Sequence, residues 1–557
     1  MRFQGVLRGQ IGARFGAGFA GPDGQRTWAR LLRLLAALIL VNGLLLAPSW
    51  ALAGRIGPPW FAVEAGIVVA ALLMLPARRW TLGATVATAA VVLLVALAGL
   101  GDAALRLSLG RPANIYLDLW LLLSVRDLLV GTLGSVIAVV VIVLTLVAVA
   151  LITLLVGFLL ATVQRERTAL GTRLSGLAVV VLVGVGLVGT RMPGMVRYVD
   201  APAVRLVFGQ ARMFIRMMGE RDRFADALSR SPDSYAELPG LLAKLEGRDV
   251  ILGFIESYGM TALGDPRYAP VVGARLDDLN ARIAAAGLHL VSGALVAPTQ
   301  GGQSWFSHGS LLSGLWLDNQ IRYDMLLAEG RETLIDDFRR AGHRTVAVMP
   351  AIIMPWPEGQ RFGYDEIFVR KDIDYAGPSL NWVTMPDQFT WSYLQKSIRD
   401  NGARPLFAEL GLISSHAPWT PILSVLDDWE GIGDGRIFGE WAGAGERPED
   451  LWLDTDRVRE QYALSIEYAV HAMAAYAERY VDDRTLLIAL GDHQPAPLIT
   501  GDNAPWSVPV HVISGDPSLL APFLEWGFIE GAWPDPQLEP LGMDYFRDWF
   551  IQAYSGR

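Results

Sequence analysis

Long apolar stretches separated by short polar segments occupy the first third of the chain. The fourth is the clearest, because residues 134–163 contain no charged side chain. Each stretch is close to the roughly 20 helical residues that cross a hydrocarbon core of about 30 Å. The pattern therefore predicts five transmembrane helices. Their approximate limits are 34–52, 59–76, 81–100, 135–163 and 174–190.

The pattern changes near residue 195, after which the apolar runs become shorter. From residue 249 onward, runs of five to seven apolar residues alternate with amphipathic helical segments. This alternation is typical of a mainly parallel sheet covered by helices on both faces. We therefore predict three parts. They are a transmembrane anchor over 1–195, an amphipathic helical linker over 196–248, either at the membrane surface or a plain connector, and an α/β domain over 249–557.

Arginine residues collect on alternate sides of the predicted spans. Six precede the first span, and the loops after the second and fourth spans are also rich in arginine. The intervening loops carry few or balanced charges. By the positive-inside rule, the N-terminus lies in the cytoplasm. Five crossings then place the α/β domain on the opposite side of the membrane.

The two parts of the chain carry opposite net charge. Residues 1–195 contain 16 arginines, no lysine and six acidic residues, which gives +10. The remaining residues contain 31 basic and 50 acidic side chains, which gives −19 and argues against nucleic acid as a partner. The chain has no cysteine, so disulfides and thiolate metal sites are excluded. A metal would need imidazole, carboxylate or hydroxyl ligands.

Polar residues that bind metals or transfer protons follow four of the predicted elements. Glu256 follows the first strand, His416 a later one, and Asp492 and His493 the last, whereas Ser304 follows a Gly-rich loop at the start of a helix. Because the carboxyl ends of parallel strands share one edge of a sheet, we expect these residues to converge. Two carboxylates and an imidazole suit manganese or zinc. A serine beside such a metal at a helix N-terminus would be an activated nucleophile.

Each of these residues also has an ordinary structural interpretation. Glu256 could form a cap or a salt bridge, Ser304 could be a helix N-cap, and His416 could be a hydrogen-bonded loop histidine. As a functional residue, His416 would protonate a leaving oxygen or hold a phosphoryl oxygen. His308 lies one helical turn after Ser304 and is a further candidate for binding substrate. The joint occurrence of all four pieces favours a functional site.

Three passages carry a resemblance to a known family. They are Ile255-Glu256-Ser257, the segment 334–345, and Gly491-Asp492-His493. They resemble the alkaline phosphatase/sulfatase superfamily, and specifically its membrane-anchored phosphotransferase branch. That branch includes lipoteichoic acid synthases, phosphoglycerol transferases of periplasmic glucans, and lipid A phosphoethanolamine transferases. The resemblance covers about 249–515, and the predicted anchor also matches. It implies a sulfatase-like domain on the periplasmic side of a bacterial inner membrane.

The spacing within this resemblance places the nucleophile at Ser304. In sulfatases, the modified residue precedes a small residue and a glycine by nine positions, and Ser313 and Gly314 form that pair here. Sulfatases also carry Pro and Arg two and four positions after it, whereas this chain has Phe306 and His308. The signature for conversion to formylglycine is therefore absent. An unmodified hydroxyl is implied, as in the phosphotransferases.

The resemblance also implies a cofactor and a reaction. It implies one divalent ion, Mn²⁺ or Zn²⁺, with His416 in contact with the phosphoryl group. We expect transfer of a phosphoglycerol group from a membrane phospholipid such as phosphatidylglycerol to a glycan or polymer hydroxyl, through a covalent phosphoserine-type intermediate. The alternatives are a phosphoethanolamine transferase, which the absence of cysteine makes less favoured, a metal-dependent phosphodiesterase or phosphatase, and a non-catalytic envelope sensor. The implied metal ligands are Glu256, Ser304, Asp492 and His493.

Overall fold

The chain forms two compact units, described here from a computed structural model. One unit comprises Met1–Arg106 and Arg111–Met218, and the other comprises Leu107–Gly110 and Gly219–Arg557. The predicted linker 196–248 is thus divided between them. The structure describes residues 22–76, 80–118, 121, 125–126, 129–130, 133–165, 168–189, 198–230, 234–501 and 503–556.

The first unit is helical where it is described. A short parallel pair of strands, β1 (Phe61–Ala62) and β2 (Val199–Asp200), joins two of its segments. Its helices are α1 (Pro22–Ala53), α2 (Val63–Met74), α3 (Thr81–Leu109), the short turn Ile115–Asp118, α4 (Ser135–Arg165), α5 (Ala169–Gly189) and α6 (Pro202–Met218).

Three helices in the described residues are long and apolar enough to cross a membrane. They are Arg26–Ala53 within α1, Thr81–Leu109 and Ser135–Arg165. They confirm the first, third and fourth predicted spans as candidates. The apolar segments Val63–Met74 and Arg173–Gly184 are shorter.

The predicted count of five spans is therefore not confirmed. The second stretch loses length because it begins with Pro59, Phe61 and Ala62 form β1, and the helix begins only at Val63. Proline lacks the backbone N–H that a helix interior needs. The 12 residues of α2 rise about 18 Å, short of the hydrocarbon thickness of about 30 Å.

The second unit is built on one nine-stranded sheet. Its strands are β3 (Asp249–Ile255), β4 (His289–Val296), β5 (Arg344–Met349), β6 (Glu366–Val369), β7 (Leu406–Leu412), β8 (Thr485–Gly491), β9 (Ser507–Ser514), β10 (Ile529–Glu530) and β11 (Leu541–Gly542). The helices are α7 (Glu220–Arg230), α8 (Ala269–Ala285), α9 (Ser304–Ser313), α10 (Gln320–Glu329), α11 (Leu334–Arg340), α12 (Pro357–Phe362), α13 (Asp387–Tyr393), α14 (Thr455–Tyr480) and α15 (Phe546–Tyr554). Shorter helical turns lie at Ala243–Leu245, Thr261–Gly264, Leu394–Arg399, Arg436–Trp441, Pro448–Leu451, Pro497–Thr500, Pro517–Leu519, Ala521–Glu525 and Met543–Tyr545.

The sheet is mixed. Its strand order is β10-β4-β9-β8-β3-β7-β5-β6, with β11 beside β4. Five neighbouring strands, from β8 to β6, are parallel, whereas β9 is antiparallel to both β8 and β4. The mainly parallel sheet that the sequence predicted is thus not confirmed for the whole sheet. The segment between the end of β8 and the start of β9 stays at one edge of the sheet, because antiparallel neighbours do not need the crossover connection that parallel strands require.

Two apolar cores cover the two faces of the sheet. Along β3, Ile251 and Ile255 point into core A with helices α8, α13 and α14. The alternate residues Leu252 and Phe254 point into core B with helices α9, α11 and α15. Successive side chains of a strand point to opposite faces, so helices lie on both sides as predicted.

Candidate metal centre and nucleophile

The candidate residues gather at the carboxyl edge of three adjacent parallel strands. In the register, Ile255 of β3 lies beside Gly491 of β8 and Leu412 of β7. The next residues along β3 and β8 are Glu256 and Asp492, so both carboxylates leave the sheet at the same level. Parallel pairing therefore brings together residues that are more than 200 positions apart in sequence.

Glu256, Asp492 and His493 form a compact cluster. One potential ligand atom from each lies within 4.8 Å of the others. His493 Nε2 is 3.5 Å from Glu256 Oε1 and 3.5 Å from Asp492 Oδ2. Within the described part of the chain, this buried nitrogen has no hydrogen-bond partner. An unsatisfied buried nitrogen facing two carboxylates is the arrangement expected of a cation-binding site.

Hydrogen bonds fix the orientation of these ligands. His493 Nδ1 is 2.9 Å from the Gln494 carbonyl oxygen, so Nδ1 carries the proton and Nε2 keeps its lone pair. Asp492 Oδ1 accepts bonds of 2.7 Å from the backbone N–H groups of Ser257 and His493. The Ser257 hydroxyl donates to Glu256 Oε1 at 2.7 Å. Ser257 thus donates one hydrogen bond to each of the two carboxylates. The sequence did not predict this role.

Burial and mutual electrostatics shift the pKa of each member of the cluster. Burial, followed by the neighbouring Glu256 carboxylate, raises the pKa of Asp492 to about 6. Burial acts to raise the pKa of Glu256, but His416 and His493 outweigh it and hold that pKa below its ordinary value. Burial acts to lower the pKa of His493, but Asp492 and Glu256 outweigh it and raise that pKa. A divalent cation would relieve the repulsion between the carboxylates.

The residues present fit a divalent metal ion. Two carboxylates and one imidazole match the preferences of Mn²⁺ and Zn²⁺, and the chain has no thiolate to favour a softer ion. The unpartnered Nε2 of His493 supplies the independent observation. The structure therefore supports a metal-binding group at this edge without distinguishing the two metals.

Ser304 lies beside this cluster at the first helical residue of α9. Its side chain acts on the Asp492 carboxyl group and works to lower the pKa of that group. The preceding residue, Gln303, has a left-handed φ of 65° and occupies the N-cap position. The interpretation of Ser304 as an ordinary N-cap therefore does not hold. A hydroxyl at this position faces the anion-stabilising end of the helix.

A loop crossing holds Ser304 and the metal ligands together. The Gly301 N–H donates to the Gln494 carbonyl at 2.8 Å. The Gln300 side chain donates to the Pro495 carbonyl at 3.1 Å and to the Thr500 hydroxyl at 3.0 Å. We call these contacts the 300–494 strap. It joins the loop before Ser304 to the segment that follows the metal ligands.

His416 also lies near the cluster. Its charge acts on the Glu256 carboxylate, and the neighbouring Ser415 hydroxyl donates to the Glu256 backbone carbonyl at 2.6 Å. His416 Nδ1 is 2.5 Å from the Ala417 carbonyl oxygen, which leaves Nε2 for proton exchange. Its ring is stacked on Trp382 with a centroid distance of 5.8 Å. The predicted role of His416 toward a phosphoryl group remains a prediction.

His308 has a partner that the sequence analysis missed. Its Nδ1 lies 2.6 Å from Oε1 of Glu409, which is buried in the middle of β7. The only sequence signal was a lone carboxylate within the apolar run 406–412. The predicted role of His308 in binding substrate remains untested by this geometry.

Comparisons with solved structures find similar chains at 11–13% identity. No family model and no curated protein sequence matches this chain. The lipoteichoic acid synthase LtaP from Listeria monocytogenes is similar in structure, with a TM-score of 0.35, 11% identity, and coverage of 57% of this chain and 74% of that chain. The phosphoglycerol transferase GacH from Streptococcus pyogenes, in complex with sn-glycerol-1-phosphate, has a TM-score of 0.33, 13% identity, and coverage of 53% and 72%.

A third similar structure extends over nearly the whole chain. It is the integral membrane lipooligosaccharide phosphoethanolamine transferase A from Neisseria meningitidis, with a TM-score of 0.44, 12% identity, and coverage of 94% of this chain and 95% of that chain. The likeness concerns the fold, and it includes both phosphoglycerol and phosphoethanolamine transferases.

Proposed function

We propose that this protein is a metal-dependent phosphotransferase of the bacterial cell envelope. It moves a phosphoglycerol group from a membrane phospholipid to a hydroxyl of a glycan or polymer, through a covalent intermediate on Ser304. The supporting observation is the place of Ser304 at the start of α9, beside the Glu256, Asp492 and His493 cluster, where its side chain acts to lower the pKa of Asp492. A nucleophile, a metal-binding group and a helix N-terminus thus meet at one point.

The proposed ligands are two carboxylates, an imidazole and the nucleophile itself. Glu256, Asp492 and His493 would hold the ion together with Ser304. A bound divalent ion would lower the pKa of the hydroxyl and offset charge on the phosphoryl group.

The first step forms the bond between Ser304 Oγ and phosphorus. The bond from phosphorus to the diacylglycerol oxygen breaks, and His416 donates a proton to that leaving oxygen. The hydroxyl proton of Ser304 passes to a second base. In the next step the acceptor hydroxyl attacks phosphorus and gives its proton to His416, and Ser304 regains its own proton as its oxygen leaves.

Two features favour a phospholipid donor carrying phosphoglycerol. The three long apolar helices would keep the enzyme in the membrane that contains the donor. The outer domain has no cysteine, whereas the phosphoethanolamine transferases that the sequence resembles commonly carry disulfides. We propose that the second unit is extracytoplasmic, as the arginine distribution predicts.

The test is to identify what becomes attached to Ser304. The full chain, loaded with Mn²⁺ or Zn²⁺, is incubated separately with phosphatidylglycerol and phosphatidylethanolamine vesicles, and the Ser304 peptide is analysed by mass spectrometry. We expect a glycerophosphoryl adduct and diacylglycerol release with the first lipid. A phosphoethanolamine adduct would select the phosphoethanolamine transferase instead. Release of headgroup into water with no acceptor would indicate a phosphodiesterase.

Matched serine variants of helix α9 provide the control. Ser304→Ala should abolish the adduct and turnover while metal content stays unchanged. Ser307→Ala should keep both, because the Ser307 hydroxyl is buried and has no hydrogen-bond partner in the described structure. Full activity of Ser304→Ala would refute the mechanism. A protein that holds no stoichiometric Mn²⁺ or Zn²⁺ after loading, and shows no turnover on any lipid, would favour the non-catalytic sensor.

A further inference from the structure

A buried carboxylate lies in the middle of strand β7, within an otherwise apolar face. Glu409 is only 1% exposed and shares its side of the strand with Phe407 of core B. A carboxylate in such surroundings is strongly unfavourable unless it is paired and hydrogen-bonded. The groups that hydrogen-bond to Glu409 therefore indicate what this buried carboxylate does.

Glu409 holds the ring of His308 in one orientation. Its Oε1 is 2.6 Å from His308 Nδ1, and its Oε2 accepts a hydrogen bond from the Tyr364 hydroxyl. The imidazole is stacked on Phe254 with a centroid distance of 3.8 Å and an interplanar angle of 23°. The carboxylate and the aromatic face together fix both the tautomer and the plane of His308.

His308 is placed toward the nucleophile. It lies four residues after Ser304 on α9, so both side chains are on one face of the helix. Helical side chains lean toward the N-terminus, which brings His308 over the turn of Ser304. Its charge also acts on the carboxyl group of Asp492. In the described structure, no hydrogen bond engages His308 Nε2, whereas Nδ1 is occupied by Glu409.

We propose that His308 is the base that takes the hydroxyl proton of Ser304, and that Glu409 is its positioning residue. The inference rests on the proposed function. As the bond from Ser304 Oγ to phosphorus forms, the hydroxyl proton moves to His308 Nε2 and the Glu409 carboxylate stabilises the imidazolium. When the acceptor oxygen later displaces Ser304, the same proton returns to Ser304 Oγ. His416 separately donates a proton to the donor's leaving oxygen and regains one from the acceptor hydroxyl. Each histidine thus ends the cycle in the protonation state in which it began.

A second buried ion pair, away from the candidate site, provides a structural control. Arg547 Nε is 2.9 Å from Asp337 Oδ2, and both side chains are fully buried in the same half of the unit. Asp337 lies on α11, the helix that leads into the amino end of β5, whereas the candidate site is at the carboxyl ends of the strands. Asp337→Asn therefore removes a buried ion pair without touching the site.

The experiment compares two donors that differ in their leaving group. One is phosphatidylglycerol, whose diacylglycerol oxygen needs a proton, and the other is bis(p-nitrophenyl) phosphate, whose p-nitrophenolate does not. Loss of His416 should slow the lipid reaction far more than the aryl reaction. His308→Ala should lower kcat about 100-fold with both donors, because Ser304 must lose its proton in either case. Glu409→Gln should lower kcat about tenfold with both, with KM unchanged.

Chemical rescue separates a proton-transfer role from a structural one. Added imidazole should restore part of the His308→Ala activity and should not affect Glu409→Gln or the parent. Asp337→Asn should keep its kcat. Activity of His308→Ala and Glu409→Gln within twofold of the parent, while Ser304→Ala is inactive, would overturn this inference and leave the proposed function intact. Activity of Ser304→Ala would overturn the proposed function instead. Glu409→Gln keeps the side-chain shape and decides the matter if His308→Ala does not fold.

Discussion

Replacing Asp492 by asparagine should stabilise the metal-free protein while destroying its response to metal. Asparagine has the same shape, and its oxygen can still accept the backbone N–H groups of Ser257 and His493, which Asp492 Oδ1 accepts at 2.7 Å. The substitution removes the negative charge that faces Glu256 and turns the second carboxylate oxygen into an amide N–H₂ group. Replacement by asparagine should therefore raise the stability of the metal-free protein at a metal-ligand aspartate and lower it at an aspartate that only forms ion pairs.

The size of the effect follows from the pKa of the carboxyl group. Burial, and then Glu256, raises the pKa of Asp492 from 3.8 to about 6. A pKa difference of one corresponds to about 1.4 kcal/mol, so ionised Asp492 lowers the free energy of unfolding by up to about 3 kcal/mol at pH 8. The folded protein holds this proton more tightly than the unfolded chain between about pH 4 and pH 6. Stability of the metal-free protein therefore falls as the pH rises through that window.

Thermal unfolding of the full chain in detergent measures both effects. After chelation at pH 8, Asp492→Asn should unfold at a temperature a few degrees above the parent, and the gain should shrink at pH 5. Adding Mn²⁺ or Zn²⁺ at 100 times Kd should stabilise the parent by about 2.7 kcal/mol and leave the variant unchanged.

The matched control is Asp278→Asn on α8. It should lower the midpoint at both pH values, because burial acts to raise the pKa of Asp278 but Arg282 and Arg275 outweigh it and hold that pKa below its ordinary value. If Asp492→Asn is less stable than the parent at pH 8, or still gains stability from metal, the assignment of Asp492 as a strained metal ligand is wrong.

Three further predictions concern the metal, its ligands and the membrane. The affinity for Mn²⁺ or Zn²⁺ should weaken as the pH falls below about 6, since protons then compete for Asp492, whose pKa is about 6; isothermal titration at pH 5 and pH 7.5 checks this, and equal affinities would contradict it. Glu256→Gln should lose stoichiometric metal and lower kcat at least 100-fold, and elemental analysis with the lipid assay would expose retention of both. The chain has no native cysteine, so single cysteines report topology cleanly: Ser518→Cys should react with an impermeant maleimide in spheroplasts and Thr168→Cys only after lysis, and the reverse pattern would refute the orientation.

The sequence predicted the metal cluster because its signal is local. Gly491, Asp492 and His493 follow an apolar run directly, and Glu256 follows another. Strand ends of a parallel sheet share an edge, so the convergence followed once both runs were identified as parallel strands. Gly491 is required there, since a Cβ would lie 1.8 Å from the Tyr258 carbonyl oxygen.

Features that depend on tertiary pairing were not predictable in this way. Nothing in the sequence near Glu409 indicates that its partners are His308 and Tyr364, which come from different elements. The antiparallel direction of β9 was also missed, because an apolar run gives no information about the direction of pairing. The strand register, which sets which carboxylates meet, is likewise a property of the folded sheet.

The 300–494 strap bears on whether the site forms before or after metal binding. The segment after Asp492 is anchored by β8 at one end and β9 at the other, and the Gly301 N–H fastens it at 2.8 Å to the loop that carries the nucleophile. These bonds join polypeptide groups, so we expect the strap to hold the loop of the nucleophile in place before the proposed metal binds. Under the proposed function, the protein would then accumulate in the membrane in a folded but inactive form. Its output would follow the supply of the ion on the timescale of binding, without new synthesis or refolding.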